Sequence, residues 1–249
     1  MTFKDHFSGH AAAYASFRPG YPTALFEILA GLPNGRRLAW DAGTGNGQAA
    51  VGLADHFEEV VATDPSAAQL ANVSPHPRVA YRVGPAESSG LDPGTVDLVT
   101  AAQAFHWFDF DRFFAEAERV LAPGGAIALW TYNLVRFTPE IDEQIDRLGY
   151  DIVKAWWPPE RRWVDEEYRT IPFPFAEVEI APLRHEESWD LARLVSYLHT
   201  WSAAVRYTKE TGTDPVGLVE AELAAAWGEP SRVRTAYWPI FIRAGYPRD

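Results

Sequence analysis

Over the first 130 residues, short apolar runs alternate with stretches of helical periodicity, the pattern of a parallel α/β sheet flanked by helices. Residues 37–41, 59–63, 78–83, 96–101 and 126–130 read as five strands, the fourth apolar except at its ends. Between them the spacing predicts helices over 22–31 (apolar face Leu25, Phe26, Ile28 and Leu29), 48–55, 66–71 and 110–121. The last of these is stopped by Pro123-Gly124-Gly125. After residue 135 the rhythm changes. Residues 137–163 are helical but broken by Pro158-Pro159, and Ile171-Pro172-Phe173-Pro174-Phe175 cannot be a central strand, because proline donates no ladder hydrogen bond. A helical cap inserted at about 136–175 is therefore expected. Residues 178–186 and 236–244 read as two late strands forming an antiparallel edge pair, with helices over 191–207 and 215–227 between them. The expected fold is a doubly wound, mostly parallel α/β sheet of seven strands with an antiparallel last strand, in one domain spanning 1–249. Its core would comprise about 22–135 and 176–249.

Composition narrows the chemistry. The 249 residues are 47% hydrophobic and 22% charged, as expected of a globular domain, and carry a formal charge of −12. That sign disfavours nucleic acid or an anionic membrane as partner. The absence of cysteine excludes disulfides, thiolate metal sites and a cysteine nucleophile. The first ten residues, MTFKDHFSGH, have no apolar signal core, and no run approaches the roughly 18–20 apolar residues of a membrane span. A cytoplasmic protein is the resulting expectation. His6, His10, His56, His76, His185 and His199 form no H-x-x-x-H or H-E-x-x-H set, so no metal is expected. Ten tryptophans, several of them beyond residue 150, suggest an aromatic lid or pocket in the second half.

The strongest local signal is Leu38-Ala39-Trp40-Asp41-Ala42-Gly43-Thr44-Gly45-Asn46-Gly47, a buried strand feeding a glycine-rich turn that opens a helix. Bare backbone at 43, 45 and 47 lets a ligand approach, and the helix N-terminus offers N–H groups. The spacing is G-x-G-x-G, which meets neither the dinucleotide pattern G-x-G-x-x-G nor the P-loop. Asp64 ends the second strand twenty-one residues after Gly43, close to where an acid holds a ribose diol; its alternative role is to cap the next helix. The turns Gly84-Pro85-Ala86-Glu87 and Ala102-Gln103-Ala104-Phe105-His106-Trp107 fall on the same carboxyl edge of the sheet, the usual ligand crevice of such folds. A nicotinamide-dependent (NAD) oxidoreductase shares the order of strand, turn, helix and acid. Against it stand the misplaced third glycine and the late antiparallel strand. A cofactor-binding protein without turnover is the other alternative.

These residues resemble the class I S-adenosyl-L-methionine-dependent methyltransferases over roughly 7–133. The resemblance includes D-x-G-x-G-x-G from Asp41, Asp64, the Ala86-Glu87 pair and the strand ending at Trp130. Phe7, the segment Tyr14-Ala15-Ser16-Phe17-Arg18-Pro19-Gly20-Tyr21-Pro22, Gln103-Ala104-Phe105-His106-Trp107-Phe108 and Tyr197-Leu198-His199-Thr200-Trp201-Ser202-Ala203 are similar to the small-molecule branch that includes trans-aconitate methyltransferase. The resemblance implies that Asp41, Ala42, Gly43, Thr44 and Gly45 face the methionine half of the cofactor and that Asp64 binds the ribose, with Pro65 and Gln69 bordering the adenosine. It implies Ala86 and Glu87 at the adenine and Gln103 at the amino group. Tyr14 and Arg18 would belong to an N-terminal lid over 1–21, with Arg18 pairing the cofactor carboxylate. It further implies a sixth parallel strand and an antiparallel seventh inserted beside the fifth.

A methyl on a sulfonium is already activated, so its transfer needs alignment more than acid–base chemistry. A carboxylate acceptor needs no base, whereas an amine, phenol or carbon acid does, and His106 is the candidate, its alternative role being an orienting hydrogen-bond donor or a wall residue. The acceptor is expected to be a small molecule, such as an organic acid. Trp107, Trp201 and Arg206 are the candidate acceptor contacts, with Trp156, Trp157, Trp163, Tyr197 and Tyr207 as further pocket aromatics. Asp151, Lys154, Glu160, Arg161 and Arg162 read as solvated helix charges.

Overall fold

The computed structural model describes residues 20–248. Five parallel strands form its first half: β1 (Leu38–Ala42), β2 (Glu59–Asp64), β3 (Val79–Val83), β4 (Val96–Ala102) and β5 (Leu121–Tyr132). The chain then adds β6 (Ala176–Val178), β7 (Leu183–Trp189) and β8 (Arg234–Tyr246). The sheet order is β3-β2-β1-β4-β5-β8-β6, with β7 also on β8. β8 runs antiparallel to β5, β6 and β7. The strand expected over 178–186 is thus two strands on one edge of β8. Residues 179–182 leave the ladder between them, and Pro182 in that gap has no N–H to give. The long β8 is inserted beside β5, as the resemblance implied.

Alternation along the central strands assigns their two faces. Ala39, Val60, Ala62, Leu98, Ala126 and Ala128 pack against α1 (Thr23–Ala30) and α2 (Gln48–Ala54). Small residues bring these helices close: a Cβ at Gly52 would sit 2.2 Å from the Phe26 ring. On the other face Trp40, Val61, Val99, Ile127 and Leu129 meet Phe113, Phe114, Ala117 and Val120 of the helix α4 (Phe110–Val120), which follows the short α3 (Ala67–Leu70). The residues of α4 recur at three- and four-residue spacing, and Asp109 caps it by accepting from the Arg112 N–H.

The helical layer is larger than the expected cap over 136–175. It begins with α5 (Pro139–Asp146), a π-helical turn over Arg147–Ile152 and α6 (Arg161–Asp165). Ile141, Ile145, Leu148 and Val153 then share one buried cluster with Leu194, Leu198, Ala203 and Leu223. Those four come from α7 (Leu191–His199), α8 (Ser202–Thr211) and α9 (Glu220–Trp227), all between β7 and β8. Two insertions separated in sequence thus build one body. Residues 164–175 behave differently: Val164, Tyr168, Ile171 and Phe175 close over the α4 face of the sheet. Among the described residues no helix is long and apolar enough to cross a membrane.

Candidate active site

The carboxyl ends of β1, β2 and β4 and the turn after β3 are tied together mainly through backbone groups. The Thr44 N–H donates to the Thr63 carbonyl at 3.0 Å, and the Gly84 N–H to the Asp64 carbonyl at 3.1 Å. Gly43 (φ +68°) passes so close to the β4 loop that a Cβ would lie 2.6 Å from that of Ala104. Gly45 (φ +57°) is the reverse case, since a Cβ there would meet nothing within 4 Å among the described residues. The turn is therefore backed by protein at 43 and open at 45, the shape of a cradle for a ligand.

Two acids bracket this turn. Asp64 accepts from the Gly45 N–H through Oδ2 at 2.9 Å and from the Ser66 N–H through Oδ1 at 2.8 Å. It does not cap the next helix. Ser66 does, accepting from the Gln69 N–H, while Pro65 and Gln69 flank it half-buried. Asp41 is fully buried at the end of β1. Its Oδ1 accepts from the Thr100 hydroxyl at 2.9 Å, while its Oδ2 and the Thr44 hydroxyl are buried without a hydrogen-bond partner among the described residues. Burial raises the Asp41 carboxyl from 3.8 to about 6 against the nearby Thr44 and Thr100 hydroxyls, and the charge of Asp64 adds to the rise. Thr100 lies directly across from Asp41 in the β1–β4 register, so the fourth strand is less apolar than expected.

Other expected contacts are placed differently. Ala86 is buried beside Glu87, whose Oε1 accepts from the Asp109 N–H at 2.8 Å and so anchors the start of α4. Gln103 has φ +51°, uncommon outside glycine and concentrated at functional sites. Its side chain turns toward β5, donating to the Tyr132 carbonyl at 2.9 Å and accepting from the Thr131 hydroxyl at 2.5 Å. Tyr14 and Arg18 lie outside the described residues.

Beyond Gln103 opens a cavity of about 130 Å³. Its walls include His106, Trp107, Trp157, Arg161, Tyr197 and Trp201. The His106 Nδ1 is 2.8 Å from the Tyr168 hydroxyl. Tyr168 is fully buried at φ +61°, following Glu167 at φ +57°. For Nε2 of His106 to accept a proton, Nδ1 must carry its own and donate to the Tyr168 oxygen. Trp201 stacks near Trp157 (ring centroids 5.6 Å apart) and Tyr197 (6.2 Å). Of the further aromatics expected at the pocket, Trp156, Trp163 and Tyr207 lie elsewhere. Trp156 binds Glu210 and packs on Tyr207, while Trp163 packs on Phe110. Arg206 is also away from the described lining, its Nη1 facing the Trp156 carbonyl at 3.4 Å. The guanidinium in the wall is that of Arg161, which the sequence placed in solvent. One turn of helix gives no sign of this; only the folding of 157–165 over Asn133 brings it in. Among the described residues no group of three or more histidine, aspartate or glutamate side chains could hold a metal ion.

The chain matches the family model described as "Methyltransferase domain" over residues 40–129. It is 32% identical over 229 residues to a Dictyostelium discoideum protein named "Putative methyltransferase", covering 90% of this chain and 87% of that one. A solved structure from Anaeromyxobacter dehalogenans, described as "a Putative Type II Methyltransferase", shares 49% identity and superposes with a TM-score of 0.87, covering 93% of this chain and 99% of that one. A phosphoethanolamine N-methyltransferase of Haemonchus contortus, solved with S-adenosylhomocysteine, covers all of this chain and 61% of its own at 18% identity and a TM-score of 0.52, a likeness of fold alone.

Proposed function

This chain belongs to the class I S-adenosyl-L-methionine-dependent methyltransferases, and on that premise we propose that it methylates a small organic acid held in the cavity beyond Gln103. The cofactor, S-adenosyl-L-methionine, supplies a methyl group already activated on a sulfonium. The observation that carries the reading is the adjacency of an open glycine cradle and an aromatic cavity, with Gln103 at their boundary.

The residues present fit the cofactor. Among the described residues Gly45 leaves room over its backbone, and the buried Asp41 Oδ2 and Thr44 hydroxyl lack hydrogen-bond partners. Asp41, Ala42, Gly43, Thr44 and Gly45 would hold its methionine half, and Asp64, whose carboxylate is oriented by the Gly45 and Ser66 N–H groups, its ribose hydroxyls. Pro65, Gln69 and Ala86 would border the adenosine. Glu87 and Gln103 would serve partly through the loops they pin.

The protein's own contribution is alignment. Trp107, Tyr197 and Trp201 exclude water and confine the acceptor beside the cradle, which raises its effective concentration. A carboxylate acceptor needs no proton removed, so His106, held by Tyr168, orients rather than abstracts. Neither the nicotinamide reading nor a silent binding protein is needed for this arrangement. The test is transfer of a labelled methyl group from S-adenosyl-L-methionine across a panel of small organic acids, amines and phenols. Labelling of acids, lost in Trp201→Ala while S-adenosylhomocysteine still binds, supports the proposal; labelling confined to amines or phenols overturns it.

A further inference from the structure

The wall of the cavity contains an arginine that is built in. Arg161 Nε donates to Asp165 Oδ1 at 2.9 Å, and its Nη2 donates to Asn133 Oδ1. Its guanidinium lies over the Trp157 ring, 4.5 Å from the centroid, and the side chain is only 16% exposed. Trp157 is itself fixed, donating through Nε1 to the Gly149 carbonyl at 2.9 Å. Gly149 lies in the π-helical turn, where a Cβ would press on Leu134 at 3.0 Å and approach Trp201 at 3.4 Å. Asp165 is tied in turn by Asn133 Nδ2 and by the Tyr150 hydroxyl. The guanidinium is therefore held by Nε, Nη2 and one flat face. The two N–H groups of Nη1 take no part in the bonds to Asp165 and Asn133, and the Tyr150 hydroxyl lies against the same guanidinium.

Such preorganisation lowers the entropic cost of gripping an anion, and a guanidinium edge suits a planar carboxylate. Besides Arg161 the described wall mixes aromatic rings with His106 and the uncharged polar side chains of Gln103, Asn133, Thr200 and Ser202, and it holds no second arginine or lysine. We infer that Arg161 is the specificity-determining residue of the acceptor site, anchoring one carboxylate of a monoacid whose flat, apolar body lies among Trp107, Trp157 and Trp201. The inference rests on the methyltransferase reading and adds the charge and shape of the acceptor to it. A polycarboxylate would find no second arginine or lysine in the described wall for its further charges.

Binding tests this without knowledge of the natural acceptor. The full chain is saturated with S-adenosylhomocysteine and titrated calorimetrically with cinnamate, cinnamamide and citrate. Cinnamate is expected to bind at least tenfold more tightly than the isosteric amide and than citrate. Arg161→Gln should abolish the preference for acid over amide, and Arg161→Lys should keep part of it, with S-adenosylhomocysteine affinity and the circular dichroism spectrum unchanged in both. Equal binding of acid and amide, tighter binding of citrate, no binding of cinnamate, or a preference that survives Arg161→Gln overturns the inference. If wild-type protein fails to bind S-adenosylhomocysteine, it is the methyltransferase reading that fails.

Discussion

The cofactor cradle and the acceptor cavity are neighbours made in opposite ways. The cradle is local in sequence and largely main chain: a strand end, a turn with glycines at positive φ, and one acid accepting two backbone N–H groups. The cavity is assembled from side chains that lie far apart, with Gln103, Arg161 and Trp201 coming from a strand end, the first helical insertion and the second. The first kind of site is specified by conformation and the second by packing. Changes in the cradle should therefore act on cofactor affinity, and changes in the cavity on acceptor use.

The sharpest break is Gly45→Val. A β-branched residue at φ +57° is strained by roughly 1–2 kcal/mol and fills the open cradle. S-adenosylhomocysteine affinity, followed calorimetrically, should fall by about a hundredfold, equivalent to about 2.7 kcal/mol. Retained affinity would show that the turn is only a tight connection.

Trp201→Ala comes next. It empties space among Trp157, Tyr197 and Gly149 in a buried cluster, so stability to denaturant should drop by about 3–5 kcal/mol. In the folded fraction the acceptor KM should rise while S-adenosylhomocysteine affinity holds. Loss of both together would mean that the two regions are one unit.

Asp41 gives the comparison a pH axis. Its carboxyl is raised from 3.8 to about 6, so the folded state holds this proton more firmly than the unfolded state. Stability should fall as pH rises from about 4 to about 6 and level off above, a contribution of about 3 kcal/mol at most. Asp41→Asn should flatten that slope and leave the protein at least as stable at neutral pH. Denaturant titrations at several pH values check this.

His106→Ala is expected to have the smallest effect. With a carboxylate acceptor no base is required, so kcat should fall by less than about tenfold; a fall in the ~10²–10⁴-fold range typical of a lost general base would point to a protonated acceptor.

The same contrast explains what could be read in advance. Gly43, Gly45 and Asp64 sit at fixed offsets from strand ends, so turn chemistry and spacing singled them out, whereas Asp41 was implied by the resemblance. The late antiparallel strand was legible in the pattern and its place beside β5 followed from the resemblance, but its partner's division around Pro182 depended on tertiary pairing. Thr100 was hidden because its meaning comes from register with Asp41. Arg161 was misplaced because exposure on a one-turn helix is decided by what folds over it, here Asn133 and Trp157. Arg206, promoted for its charge, belongs to the Trp156 side of α8.

The most direct test of the central claim is calorimetric titration of wild-type and Asp64→Ala protein with S-adenosylhomocysteine, using NADH as the control ligand. The account predicts one site in the wild type, at least tenfold weaker binding in the variant, and no heat from NADH. Unaltered affinity after removal of the Asp64 carboxylate, or saturable binding of NADH in place of S-adenosylhomocysteine, would contradict it.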